Sequence, residues 1–311
     1  MSAGIRYRIN TVSAVGQAQE LEVALQHGAT AVVRRMGNLG GLRVFLSHGN
    51  GFAIDGYRRF WEPWLDRFEL ILFDQRNHGR SPPSAAEHHT YPQLARDLQT
   101  IHSAVSRRFG VAASVGVFHS LSARAAMLHR KTSGSLWDAL VLVDPPSHPP
   151  AGASREAMLT LDSRLLAWAE SRQERFADPA ELADYLRNTR AHAQWEAGVH
   201  DEMAQAVLRK DGEGWALCCP GAIEAIVYRS NPALDVWPST ADDGAGVLLL
   251  SADPQRTHAS PTAVANVELA AAGGYEYCSV PDTGHLLQLE KPAACREAIE
   301  AFLARQGLIT G

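Results

Sequence analysis

The residues of this chain that could do covalent chemistry are a serine, a histidine and two aspartates, each placed just after a short apolar run. Phe118-His119-Ser120-Leu121-Ser122 lies between the run Val115-Gly116-Val117-Phe118 and a helical pattern over 122–131. A serine on a sharp strand-to-helix turn is held out over the sheet edge, with its Oγ exposed and a helix N-terminus beneath it. Such a turn asks for small residues two before and two after the serine. Ser122 meets the second demand, whereas Phe118 stands where glycine is usual. The plainer reading of Ser120 is a helix cap.

A nucleophilic serine needs a base, and imidazole titrates in the right range. Val280-Pro281-Asp282-Thr283-Gly284-His285, followed by Glu290-Lys291-Pro292, carries a histidine from a strand into a loop before a helix. The chain has 13 histidines, and this placement separates His285 from His78, His88, His89 and His258. Ser251-Ala252-Asp253-Pro254 offers a carboxylate that would fix the imidazole tautomer and stabilise the imidazolium. Asp144, after the preceding strand-like run, is its rival, and Asp253 is preferred. Acyl transfer also needs two N–H donors for a developing oxyanion. Ser47-His48-Gly49-Asn50-Gly51-Phe52 is a glycine-rich turn whose backbone can approach a substrate closely. Asn50 would supply one N–H and Leu121 the other. His48, Gly51, Phe52, His119 and Trp195 are candidate substrate contacts.

These residues need a scaffold. Val44–Leu46, 70–73, 115–118, 139–143 and 247–250 are unbroken apolar runs, as expected of strands buried on both faces of a parallel sheet. Residues 275–280 and 30–35 read as two more strands, and 37–41 as the turn that follows the earlier one. Between them lie helical patterns. Thr90 and Pro92 open one that carries Leu94, Leu98, Ile101 and Val105 on a single face. Residues 122–131 and 292–303 are others. The alternation predicts an α/β fold, with an open, mostly parallel central sheet flanked by helices. Residues 147–239 break the rhythm: they hold no strand-like run, and helical patterns occupy 157–170 and 179–190. They read as a helical cap inserted before the penultimate core strand, dividing the core into 1–146 and 240–311. Residues 1–29 would add an edge strand and a short helix over 17–26.

Serine, aspartate and histidine, each after a strand of one sheet and in that chain order, resemble the α/β-hydrolase family. Asp74-Gln75-Arg76-Asn77-His78-Gly79-Arg80-Ser81 is similar to the family's D-x-R-G-x-G-x-S turn, with Asn77 in place of the first glycine. The resemblance covers about 30–145 and 242–308, with a cap at 147–239. It implies Ser120 as nucleophile, His285 as base, Asp253 as acid, and Asn50 with Leu121 as oxyanion hole. It also implies a capped serine esterase that forms a covalent acyl-enzyme and needs no metal or organic cofactor. Hydrolysis of a lactone, an amide or a C–C bond by the same residues is the alternative. A small-molecule binder of this fold without turnover is another.

Composition narrows the classes further. The chain has 311 residues, 46% hydrophobic and 20% charged, and a net charge of −5, which argues against a nucleic-acid or polybasic membrane partner. The absence of a signal-like apolar stretch points to a cytoplasmic protein. Cys218, Cys219, Cys278 and Cys295 form no C-x-x-C and read as free thiols. The expected partner is a small-molecule substrate, and a cap face or sheet edge could pair two copies. The cap segment has 9 basic and 14 acidic residues, so it carries the whole net charge. It offers Trp168, Trp195, Trp215, Trp237, Phe176 and Tyr185 as pocket wall or as its own core. Its Arg187 and Arg190 either meet a substrate carboxylate or pair with neighbouring acids on a solvated face.

Overall fold

The computed structural model describes residues 6–8, 18–238 and 244–310. Nine strands form one sheet: β1 (Arg6–Arg8), β2 (Gln19–Ala24), β3 (Thr30–Gly37), β4 (Arg43–Ser47), β5 (Glu69–Phe73), β6 (Ser114–His119), β7 (Ala139–Val143), β11 (Val247–Ser251) and β12 (Glu276–Ser279). The strand order is β1-β2-β3-β5-β4-β6-β7-β11-β12. From β5 to β12 all neighbours are parallel, while β1, β2 and β3 add antiparallel pairs at one edge. The fold is the mostly parallel α/β sheet that the apolar runs predict.

Every residue of β4, β5, β6, β7 and β11 is buried, because helices cover both faces. Successive side chains alternate between two cores. Val44, Leu46, Val115, Val117 and Leu248 face α1 (Arg58–Trp61) and α10 (Pro292–Arg305). Phe45, Ile71, Phe73, Phe118 and Leu249 face α2 (Tyr91–Phe109), α3 (Leu121–Ser133) and α8 (Pro261–Gly273). Leu94, Leu98, Ile101 and Val105 are all buried on α2. Each such side chain contributes about 1.5–3 kcal/mol by leaving water. A single turn, α9 (Leu287–Glu290), follows the His285 loop.

Between β7 and β11 the chain builds α4 (Ala153–Ser171), α5 (Pro179–Arg187), α6 (Val199–Val207) and α7 (Gly221–Ser230). It also builds β8 (Arg175–Phe176), β9 (Leu208–Asp211) and β10 (Gly214–Leu217), a small antiparallel sheet in the order β8-β10-β9. That sheet corrects the all-helical expectation for this segment. Its hairpin turns through Gly212-Glu213, and its strands are too short to read as apolar runs. The expected helix over 17–26 is likewise a strand, β2. Leu21 and Val23 are buried between the more exposed Glu20, Glu22 and Ala24, an alternation of two rather than 3.6. The expected boundary at 239/240 lies outside the described residues.

Candidate active site

The end of β6 delivers Ser120 into a strained turn. Its φ is 52° and ψ −107°, a conformation unusual for any residue but glycine. The Ser120 N–H donates to the Val143 carbonyl of β7 (3.0 Å), and α3 begins at the next residue. Ser122 closes the turn, since its Oγ accepts from the His119 N–H (3.1 Å) and donates to the His119 carbonyl (2.9 Å). Phe118 fits because of Gly116, two residues back on the same side of β6. A Cβ at Gly116 would lie 2.5 Å from the Phe118 ring. The ring fills that space and packs on Trp137 (centroids 4.8 Å) and Phe73 (6.1 Å).

The β12–α9 loop places His285 Nε2 3.0 Å from Ser120 Oγ. Its other nitrogen, Nδ1, lies 2.6 Å from Asp144 Oδ2. Asp144 is the first residue past β7, fully buried, with a left-handed φ of 42°. Its Oδ1 accepts from Ser251 Oγ (3.1 Å), the Ala252 N–H (3.0 Å) and Asn266 Nδ2 (2.9 Å). Four donors thus converge on this one carboxylate, which holds the Nδ1–H tautomer of His285. This corrects the preference for Asp253. That carboxylate is partly exposed and accepts from the Gln255 and Asp282 N–H groups, both at 2.8 Å, bonds that lower its pKa. Asp253 sits two residues beyond β11, too far along the loop, while Ser251 and Ala252 serve as donors to its rival.

The glycine-rich turn lies beside the serine. A Cβ at Gly49 would stand 2.9 Å from the His119 ring and 3.2 Å from Ser120 Cβ, so only glycine fits there. His119 ties three segments together: its Nε2 bonds the His285 carbonyl (2.9 Å) and its Nδ1 the Tyr57 hydroxyl (2.8 Å). Burial lowers its pKa well below the usual histidine range. The Gly51 N–H donates to His78 Nε2 (3.0 Å), and the Gln75 N–H to His48 Nε2 (3.1 Å). Burial pulls His48 down to about 4 and His78 to about 3, so both stay neutral acceptors. Asn50, beside the engaged Gly51, lines the cavity. The N–H of Leu121, first residue of α3, has no intrahelical acceptor.

The Asp74–Ser81 turn braces this loop from behind. Asp74 accepts from the Ile54 (2.8 Å) and Arg80 (2.9 Å) N–H groups, and burial raises its pKa to about 6. Arg76 makes a buried two-point pair with Asp97 of α2 (2.6 and 2.7 Å). Asn77 has φ 64°, the left-handed conformation that asparagine tolerates best after glycine. A model of the alpha/beta hydrolase family matches residues 44–298. The chain belongs to that family.

Solved structures of low sequence identity share the fold. An E-2-(acetamidomethylene)succinate hydrolase superposes with TM-score 0.74 at 20% identity, covering 92% of this chain and 99% of its own. A thermophilic esterase from Thermogutta terrifontis gives 0.64 at 19%, covering 93% and 99%. An N-acyl homoserine lactonase gives 0.64 at 15%, covering 94% and 99%.

In this member of the alpha/beta hydrolase family Ser120 and His285 open on a cavity of about 810 Å³. Asn50, Gly51 and Phe52 line it. His48 and His119 are buried behind the wall and hold backbone instead. Trp195 also stands back, corrected from a substrate contact to a support. It packs on His192 (4.7 Å), His200 (5.0 Å) and Phe52 (6.0 Å). Trp168 is on the wall, while Phe176 and Trp215 belong to the core. Sequence reasoning missed the polar group that α7 brings to the Gly49–Phe52 turn. The Glu224 carbonyl accepts from Asn50 Nδ2 (3.0 Å). Its carboxylate, close against Gly51, accepts from Arg172 (2.6 Å) and Tyr228 (3.1 Å). Only the fold brings residues 50 and 224 together, so no local motif marks them. Among the described residues no cluster of metal-ligating side chains occurs, and no helix is long and apolar enough to cross a membrane.

Proposed function

We propose that this chain is a serine hydrolase that cleaves a small or medium-sized, partly apolar carboxylic ester through a covalent acyl-enzyme. The observation that carries the reading is the unbroken chain from Ser120 Oγ to His285 (3.0 Å) to Asp144 (2.6 Å), at the wall of a cavity of about 810 Å³. Asp144 holds His285 with its proton on Nδ1, leaving Nε2 free to accept the Ser120 proton. Ser120 Oγ attacks the acyl carbon. The oxyanion that forms is held by the Asn50 and Leu121 N–H groups, and the α3 N-terminus favours its charge. His285 returns the proton to the leaving alcohol, and water then repeats the cycle on the acyl-enzyme.

Residues 147–238 act as a cap over this site. Leu161, Leu165, Leu182, Leu186 and Met203 give it an apolar wall, which supports an acyl chain of several carbons. The test is a panel of 4-nitrophenyl esters from acetate to decanoate, with Ser120→Ala and His285→Ala as controls. Turnover with an optimum at intermediate chain length, lost in both variants, is the expected result. Turnover that survives Ser120→Ala contradicts the proposal.

A further inference from the structure

The cavity mouth carries cations without counter-ions, although the segment that forms it is acidic. Four arginines of that segment are ion-paired: Arg172 with Glu224, Arg175 with Asp211, Arg187 with Asp201 and Arg229 with Glu170. Arg164 on α4 and Arg190 just past α5 line the cavity, and neither has a carboxylate within salt-bridge distance among the described residues. The carboxylates of the same cavity are engaged. Asp162 Oδ1 accepts from Asn231 Nδ2 (2.8 Å), and His148 Nε2 stands 2.8 Å from Oδ2. Glu224 holds Arg172, and Glu290 holds the Gly284 N–H (2.7 Å) with Arg256 beside it. The Trp168 Nε1 to Tyr185 hydroxyl contact (3.3 Å) joins α4 to α5 about one turn from each arginine. A net charge of −5 in residues 147–239 makes such unpaired arginines a local reversal of sign, at the place where substrate enters.

We infer that Arg164 and Arg190 bind a free carboxylate of the substrate, remote from the scissile carbonyl. The inference rests on the ester-hydrolase reading for the bond that is cut, but not for the binding. The substrate class is then an ester bearing a second, ionised carboxyl group at the end of an apolar spacer. The spacer lies along Leu161 and Leu165, and the guanidinium groups offer forked donors to the carboxylate.

Calorimetric titration with adipate and with neutral 1,6-hexanediol reads the binding without turnover, on wild type and on Arg164→Gln/Arg190→Gln. Adipate is expected to bind at least tenfold tighter than the diol. That preference should fall about tenfold in the double variant and in 0.5 M salt, since exposed ion pairs are modest and screened. For turnover, 4-nitrophenyl hemiadipate is compared with its methyl ester, and 3-(hexanoyloxy)benzoate with the corresponding benzamide. Whichever charged member loses its preference in the double variant shows whether the carboxylate belongs to the acyl or the alcohol side. Adipate binding no tighter than the diol, or a preference untouched by the double variant, overturns the inference. Charge-selective binding with an unreactive Ser120 would sink the esterase reading alone. A reactive Ser120 without charge selectivity would sink the carboxylate site alone.

Discussion

Asp144→Asn should abolish most activity while leaving the fold standing. Three donors, from Ser251, Ala252 and Asn266, converge on Oδ1. An asparagine must keep its oxygen there, which turns its NH₂ group toward His285 Nδ1. That donor forces the imidazole to carry its proton on Nε2, facing Ser120 Oγ, where it can no longer accept. The same tautomer error in a serine protease triad costs ~10⁴ in kcat, about 5 kcal/mol of transition-state stabilisation. Asp253→Asn removes only bonds to Gln255 and Asp282 at a partly exposed site, and should change kcat less than about fivefold, a fraction of a kcal/mol on the same scale. The assay is kcat on the best aryl ester, with circular dichroism and melting temperature to verify folding. Equal losses in the two variants, or a larger one for Asp253→Asn, would refute the assignment of Asp144.

Three further outcomes follow from the packing. Gly49→Ala pushes a methyl into the His119 ring and Ser120 Cβ, and should lower kcat by about 10²-fold through misplacement of the nucleophile. A near-normal kcat in a folded variant would contradict that. Gly116→Ala forces a Cβ to within 2.5 Å of the Phe118 ring and should destabilise by about 1–3 kcal/mol, read as a lower urea midpoint. Pairing it with Phe118→Leu should recover part of the loss, and no recovery would mean the ring is not the obstacle. Stability should also fall in acid. His48, His78 and His192 have folded pKa values near 4, 3 and 4, below the unfolded value, so their contribution is full above about pH 6.5 and is lost as pH falls. Asp74, raised to about 6, runs the opposite way and stabilises as it protonates. The depressed histidines, His119 among them, outnumber the one raised aspartate, so the net is a loss of stability as pH falls from 7 to 5, and a urea midpoint unchanged over that range would contradict it.

The parallel core was legible because strands buried on both faces leave unbroken apolar runs, and β4 to β7 and β11 all do. Ser120 and His285 were legible because each follows such a run at a turn. The acid was not. Asp144 and Asp253 both follow strands, and what separates them is how far each lies past its strand end: β7 puts Asp144 level with Ser251, directly under His285. Phe118 looked like a misfit because its compensation, Gly116, is a missing side chain rather than a motif. The β9–β10 hairpin was obscured by its four-residue strands and β2 by its alternating half-exposed glutamates. The Glu224–Asn50 contact spans 174 positions, and no local pattern encodes it.

The central claim is that Ser120 is an activated nucleophile. Its most direct test is the intact mass of the chain after treatment with a fluorophosphonate probe, followed by peptide mapping. The account predicts one adduct on wild type, located on Ser120, absent in Ser120→Ala and formed far more slowly in His285→Ala. An unlabelled, folded wild type, or an adduct that persists in Ser120→Ala, would contradict it.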